Sequence, residues 1–243
     1  MTPLLLLPLL LSACSQSEPF TAPAKAAPVQ KTAKLKPSAA NPIVVELYQS
    51  QGCSSCPPAN AALNLEAGRS DVIALNFSVT YWDRLGWKDV FGNPKYTQRQ
   101  YDYAGAFRLK NVYTPQMIIN GRTEFVGNSP GELKKALSIA SPVTGGPSIS
   151  ANAGKVTIGS GNGKADIWLV RYDRRVQNVA VKAGENSGRK LPHQNVVRQL
   201  VKLGDWNGTS SSYTLPANPS RYFDSVILAQ KPGGGAIIAA RRI

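Results

Sequence analysis

The 243-residue chain is long enough to bury a sizeable core and, at about 100–200 residues per domain, to form two small domains rather than one; no internal repeat is visible. Its formal net charge of +14 lies mostly late in the chain, where residues 147–243 hold 14 Lys and Arg against 5 Asp and Glu, so the surface is either simply solvated or meets anions: lipid headgroups, acidic wall polymers or nucleic acid. One histidine and three cysteines make up the four donors of a zinc site only if every one of them is used, and the histidine, His193, lies far downstream of the cysteines.

Residues 4–11 are apolar apart from proline, and the run falls well short of the roughly 20 residues that cross a bilayer as a helix. It reads as the core of a signal peptide over residues 1–13, although no Lys or Arg precedes it. An exported chain rarely meets nucleic acid, so that partner is set aside. Leu11-Ser12-Ala13-Cys14 resembles the bacterial lipobox. The resemblance implies lipid on Cys14, which becomes the new N-terminus and ties the protein to a membrane. Ser15, standing where an aspartate would resemble the inner-membrane retention signal, tilts the destination to the outer membrane on its periplasmic side. The remainder of residues 14–41 is rich in Ala, Pro, Lys, Ser and Thr, a disordered tether that holds a folded body off the membrane at up to about 3 Å per residue.

From Pro42 the pattern changes. Residues 43–48 form an apolar, β-branched run that leads into Gly52-Cys53-Ser54-Ser55-Cys56-Pro57-Pro58. A C-x-x-C between a strand and a helix puts the first sulfur at the helix N-terminus, where unpaired N–H groups and the macrodipole favour thiolate. Cys53 is then a nucleophile, and Cys56 the group that resolves a mixed disulfide on it. The spacing alone leaves an inert disulfide and half of a metal site open. Glu46 lies inside the apolar run; a buried carboxylate turns outward, pairs with a basic neighbour such as Arg122, or takes up a proton. A helix over residues 59–67 and a strand over 71–79, apolar on both parities, come next. Residues 81–94 fit neither pattern and hold Trp82 and Trp87. A helix follows from Pro94 towards Leu109, then a strand that begins at Thr114-Pro115, an Asn120-Gly121 turn, a hairpin strand over 123–126, Gly127 and a helix over 130–140.

This order resembles the thioredoxin fold, an α/β body with a central mixed sheet flanked by helices. Glu46-Leu47, Ser50-Gln51-Gly52-Cys53-Ser54-Ser55-Cys56-Pro57-Pro58, Tyr81-Trp82-Asp83, Leu85-Gly86-Trp87 and Tyr113-Thr114-Pro115-Gln116 look like an uncharacterised family of secreted bacterial proteins, a domain of unknown function in the thioredoxin-like superfamily. The resemblance implies that Thr114 precedes a cis Pro115 lying against the active-site disulfide. It also implies that Glu46 is a buried acid behind Cys56, accepting its proton during resolution. The 81–94 insert departs from the plain fold: it either covers the disulfide and presents Trp82 and Trp87, with Tyr113, to a substrate, or its aromatics are plugs in the core or at the domain boundary. The dipeptide Ser54-Ser55 departs from the better-known redox families, so the redox poise does not carry over.

Residues 141–147 have the composition of a linker. Beyond them, short apolar stretches at 149–158, 167–172, 176–181, 196–203, 212–215, 223–229 and 237–240 predict a second, all-β, sandwich-like domain over 147–243, separate from the thioredoxin-like domain of 42–141. Within it Glu185, Arg189, His193 and Arg198 form either a binding edge or a locally satisfied hairpin turn. The expected function is a lipid-anchored thiol–disulfide oxidoreductase, without cofactor or metal, acting on envelope proteins that carry cysteines or disulfides and served by a separate redox partner. The alternative is a binding module in which Cys53–Cys56 is a permanent staple.

Overall fold

Strands apolar on both parities need cover on both faces. In the computed structural model, which describes residues 35–243, the two such runs are β1 (Ile43–Gln49) and β2 (Val72–Ser78), parallel neighbours with every residue buried. They are joined through α1 (Cys56–Glu66). Next come α2 (Pro94–Phe107), β3 (Gln116–Ile119), β4 (Thr123–Phe125) and α3 (Pro130–Ile139). Asn93 starts α2 by accepting the Lys95 N–H on its side-chain oxygen, with Pro94 in the first turn, where its missing donor costs nothing. Asn120 and Gly121 turn the β3–β4 hairpin with φ of 53° and 60°. A Cβ on Gly121 would lie 2.7 Å from the Gly235 carbonyl oxygen, so no larger residue fits.

The second half contributes β5 (Ile149–Asn152), β6 (Lys155–Ile158), β7 (Ala165–Asp173), β8 (Gln177–Ala180), β9 (Lys190–His193), β10 (Val196–Trp206), β11 (Ser211–Thr214), β12 (Phe223–Gln230) and β13 (Ile237–Arg242). The expected separate sandwich is not what forms. One eight-stranded sheet runs β13-β12-β7-β10-β2-β1-β3-β4, and β10 joins β2 in parallel at Val196 opposite Asn76. The physical reason is the open edge of β2, an apolar strand whose backbone groups need partners. The linker-like stretch is also packed: Val143 is buried, and its N–H donates to the Pro42 carbonyl. Two smaller antiparallel sheets complete the fold, β11-β6-β5 and the hairpin β8-β9.

Strand alternation sorts the core by face. Val45 and Leu47 of β1 pack with Ala59, Ala62 and Leu63 of α1 and Leu133 and Leu137 of α3. Val44 and Tyr48 face the opposite way, sharing a core with Tyr96 and Tyr103 of α2 and with Val170, Tyr172 and Leu228 from the second half. Ile149, Val156 and Ile158 lie against Ile167, Leu169 and Ile227, so the small sheet covers the far end of the large one. The expected signal peptide, Cys14 and the tether up to residue 34 lie outside the described residues.

Candidate functional site

β1 ends at Gln49, and the chain turns through Ser50, Gln51 and Gly52 into Cys53, while Cys56 opens α1. Pro57 and Pro58 occupy the first helical positions, which suit a residue without an N–H. Cys53 and Cys56 form a disulfide with Cα atoms 5.4 Å apart, and the Ser55 hydroxyl lies 3.4 Å from the Cys53 sulfur. The Thr114–Pro115 bond is cis. Because β3 is antiparallel to β1 with Gln116 opposite Tyr48, Pro115 arrives at the same end of the sheet as the cysteine turn. Trp82 spans the two: its indole N–H donates to Thr114 Oγ1 at 2.7 Å, and its Cβ would lie 3.2 Å from a Cβ on Gly52.

The disulfide is covered. Cys53 is 0% exposed and Cys56 1%, although Ser54 and Ser55 between them are exposed. The cover is a strap at residues 184–189, between β8 and β9. Asn186, fully buried, donates through Nδ2 to the carbonyls of Gln51 (2.9 Å) and Cys53 (2.8 Å), and its Oδ1 accepts from Arg189 at 2.6 Å. Glu185 accepts the Ser54 N–H at 2.9 Å, a bond that holds its carboxyl below the ordinary range. Gly184 has a φ of +74°, and this left-handed turn brings the strap backbone against Trp87 and Gly52.

The 81–94 insert braces the turn from the other side. Trp87 Nε1 donates to Gln51 Oε1 at 2.9 Å, and the Gln51 N–H donates to Asp89 at 2.8 Å. Asp89 is buried, which pushes its pKa up to about 6 against the opposing pull of the Gln51 and Phe91 N–H groups. Tyr113 gives its hydroxyl to Glu124. Trp82, Trp87 and Tyr113 are thus half-buried, with their polar atoms hydrogen-bonded inside the protein.

Residues 44–230 match the family described as "Protein of unknown function (DUF1223)". The chain belongs to this family. It is similar to the crystal structure of protein AGR_C_4864 from Agrobacterium tumefaciens, with 32% identity over 86% of this chain and 95% of that one and a TM-score of 0.69. HBP35 of Porphyromonas gingivalis shares the fold alone, at 13% identity and a TM-score of 0.58 over 86% of this chain and 76% of that one. No curated protein matches.

In this DUF1223 protein the Glu46 carboxylate faces away from α1, the helix that Cys56 opens. Alternation along β1 turns it towards α2, with Val44 and Tyr48, whereas α1 packs on the face of Val45 and Leu47. Its carboxylate is filled by Arg99, through Nε at 3.0 Å and Nη2 at 2.8 Å, and by the hydroxyls of Tyr48 at 2.7 Å and Tyr103 at 3.1 Å. Arg122, the expected partner, belongs to the β3–β4 turn instead. Burial and the neighbouring Glu46 charge push the Tyr48 hydroxyl well above its usual range.

The polar stretch around His193 is not an open edge either. Asn60, one turn into α1 from Cys56, donates to His193 Nδ1 at 2.8 Å and to the Pro192 carbonyl at 2.9 Å, while its Oδ1 accepts from Asn76 at 2.6 Å. These bonds fix the amide orientation and leave the ring proton on Nε2, a buried donor without a partner among the described residues. Burial pushes the His193 pKa down to about 4. Arg198 stacks on Phe91, 5.1 Å from its ring centre. Sequence reasoning missed Gln51, Asn60, Asp89 and Asn186, all buried polar residues; the one local signal was the Gly-Glu-Asn-Ser-Gly composition of the strap, which also describes an ordinary turn. Among the described residues no three His, Cys, Asp or Glu are grouped to hold a metal ion.

Proposed function

We propose that this protein is a thiol–disulfide oxidoreductase of the cell envelope, held to a membrane by lipid on Cys14 and facing the periplasm, with a thioredoxin-like body at residues 42–141. The observation that carries the proposal is the Cys53–Cys56 disulfide at the start of α1, set where cis Thr114–Pro115 meets the end of the parallel β1–β2 pair. Closing a four-residue loop removes only about 2 kcal/mol of unfolded-chain entropy, and Asn186, Glu185 and Asp89 already hold the same turn.

In the oxidising direction a client thiolate attacks the Cys53 sulfur, the Cys53–Cys56 bond breaks, and Cys56 leaves as a thiolate. A second client thiolate then attacks the client sulfur of the mixed disulfide and releases Cys53 thiolate. Two electrons pass from the client to the protein pair, and the two released thiolates take protons from water. The reducing direction is the same sequence run backwards. Clients are envelope proteins with cysteines or disulfides, and a separate redox partner resets the pair.

The burial of Cys53 favours a second reading, a binding module with a structural disulfide whose basic second half meets wall polymers or a partner protein. Redox titration with mass-spectrometric trapping separates the two. An exchanging pair equilibrates above about −300 mV, and Cys56→Ser accumulates mixed disulfides on Cys53; a staple stays oxidised below that potential and traps nothing.

A further inference from the structure

A cavity of about 490 Å³ opens between the 81–94 insert and the C-terminal end of α2. Ala104, Gly105, Leu109 and Val112 lie among its lining residues, together with Tyr81 and the half-exposed Tyr101. Arg84, from the insert, and Lys110, just beyond α2, line it as well. Neither cation has a hydrogen-bond, ion-pair or ring partner among the described residues, and no carboxylate lines the cavity. The cavity wall thus carries two cations and no carboxylate, beside two phenol rings.

Its position ties it to the disulfide. Tyr81 is adjacent in the chain to Trp82, which touches Gly52 of the cysteine turn and holds Thr114 before the cis proline. We infer that this cavity is a docking subsite for an acidic, extended segment of a polypeptide client, its carboxylates paired with Arg84 and Lys110 and its apolar or aromatic side chains laid against Tyr81 and Tyr101. The inference rests on the oxidoreductase reading for the identity of the client, but the binding itself needs no sulfur chemistry.

The test uses the oxidised protein and a fluorophore-labelled, cysteine-free peptide of Asp, Glu, Ala and Tyr, followed by anisotropy, with a Lys-for-acid peptide of the same length as the comparison. The wild type binds the acidic peptide at least about tenfold more tightly than the basic one. The double variant Arg84→Glu, Lys110→Glu loses that preference. Lys134→Glu, Lys135→Glu on α3, which changes the net charge equally at another place, keeps it. Equal affinity for the two peptides, or equal losses in both double variants, overturns the subsite, since the latter shows a response to net charge alone. Because no exchange reaction is read, a failed redox titration sinks the oxidoreductase reading without touching this result, and the reverse holds as well.

Discussion

Asn186→Ala tests whether the strap governs access to the disulfide. The side chain makes three hydrogen bonds, two to the carbonyls of Gln51 and Cys53 and one from Arg189, all at 2.6–2.9 Å. At about 1 kcal/mol net for each, less what water restores on opening, the change weakens the closed strap by about 2–3 kcal/mol. That raises the open population about 30- to 150-fold. The assay is reduction of the native protein by dithiothreitol at limiting concentration, quenched with an alkylating reagent and counted by mass. If opening is local, reduction accelerates by that factor and depends only weakly on urea, because little surface is exposed. A disulfide reached only by global unfolding would instead show the full urea slope of the unfolding transition. A rate within about threefold of wild type, or a slope equal to that of global unfolding, refutes the gating role.

Glu46→Gln leaves Arg99 buried without its counter-charge and should cost about 3–5 kcal/mol in urea unfolding, whereas Glu46→Leu with Arg99→Met recovers most of it. In the pH dependence two buried groups oppose each other. Asp89 has a folded pKa raised from 3.8 to about 6, so its contribution is present below pH 3.8 and lost as pH rises through 6; His193 has one lowered from 6.5 to about 4, so its contribution is present above pH 6.5 and lost as pH falls through 4. Each is worth about 3 kcal/mol, so the wild type is nearly flat between pH 4 and 6.5, Asp89→Asn becomes more stable with rising pH, and His193→Asn less stable, all by urea midpoints. Cys14→Ser should move the protein from the membrane to the soluble fraction, and a wild type already soluble on fractionation excludes the lipid anchor.

What was legible in the chain was local. β1 and β2 announce themselves by apolar side chains on both parities, α2 by Asn93-Pro94, the β3–β4 turn by Asn120-Gly121, and β7, β10, β12 and β13 by β-branched runs. Their partners carry no local signal. β10 meets β2 at one register position, Val196 opposite Asn76, across 120 residues of chain, and the composition break at 141–147 looks like a linker although Val143 is packed. Glu46 was recognisable as a carboxylate needing an answer, but the answer, Arg99, is 53 residues away on a helix whose buried stripe carries it among tyrosines. β9 was hidden by Pro192, which a central strand excludes but a two-stranded hairpin accepts.

The strap also bears on why the second half is continuous with the first. Residues 184–189 reach the cysteine turn because β10 is seated on β2 and α1 is held to β9 through Asn60 and His193; a loosely tethered domain would not keep Asn186 within 3 Å of two carbonyls. The same seating places the Glu185 carboxylate on the Ser54 N–H, at the N-terminal end of α1. That is where a Cys53 thiolate would draw its stabilisation from the helix dipole. A carboxylate already in that field repels a second negative charge, so the closed strap disfavours Cys53 thiolate as well as hiding its sulfur. If the strap opens as Asn186→Ala tests, exposure of the sulfur and relief of that repulsion come together, because Asn186 and Glu185 belong to one segment.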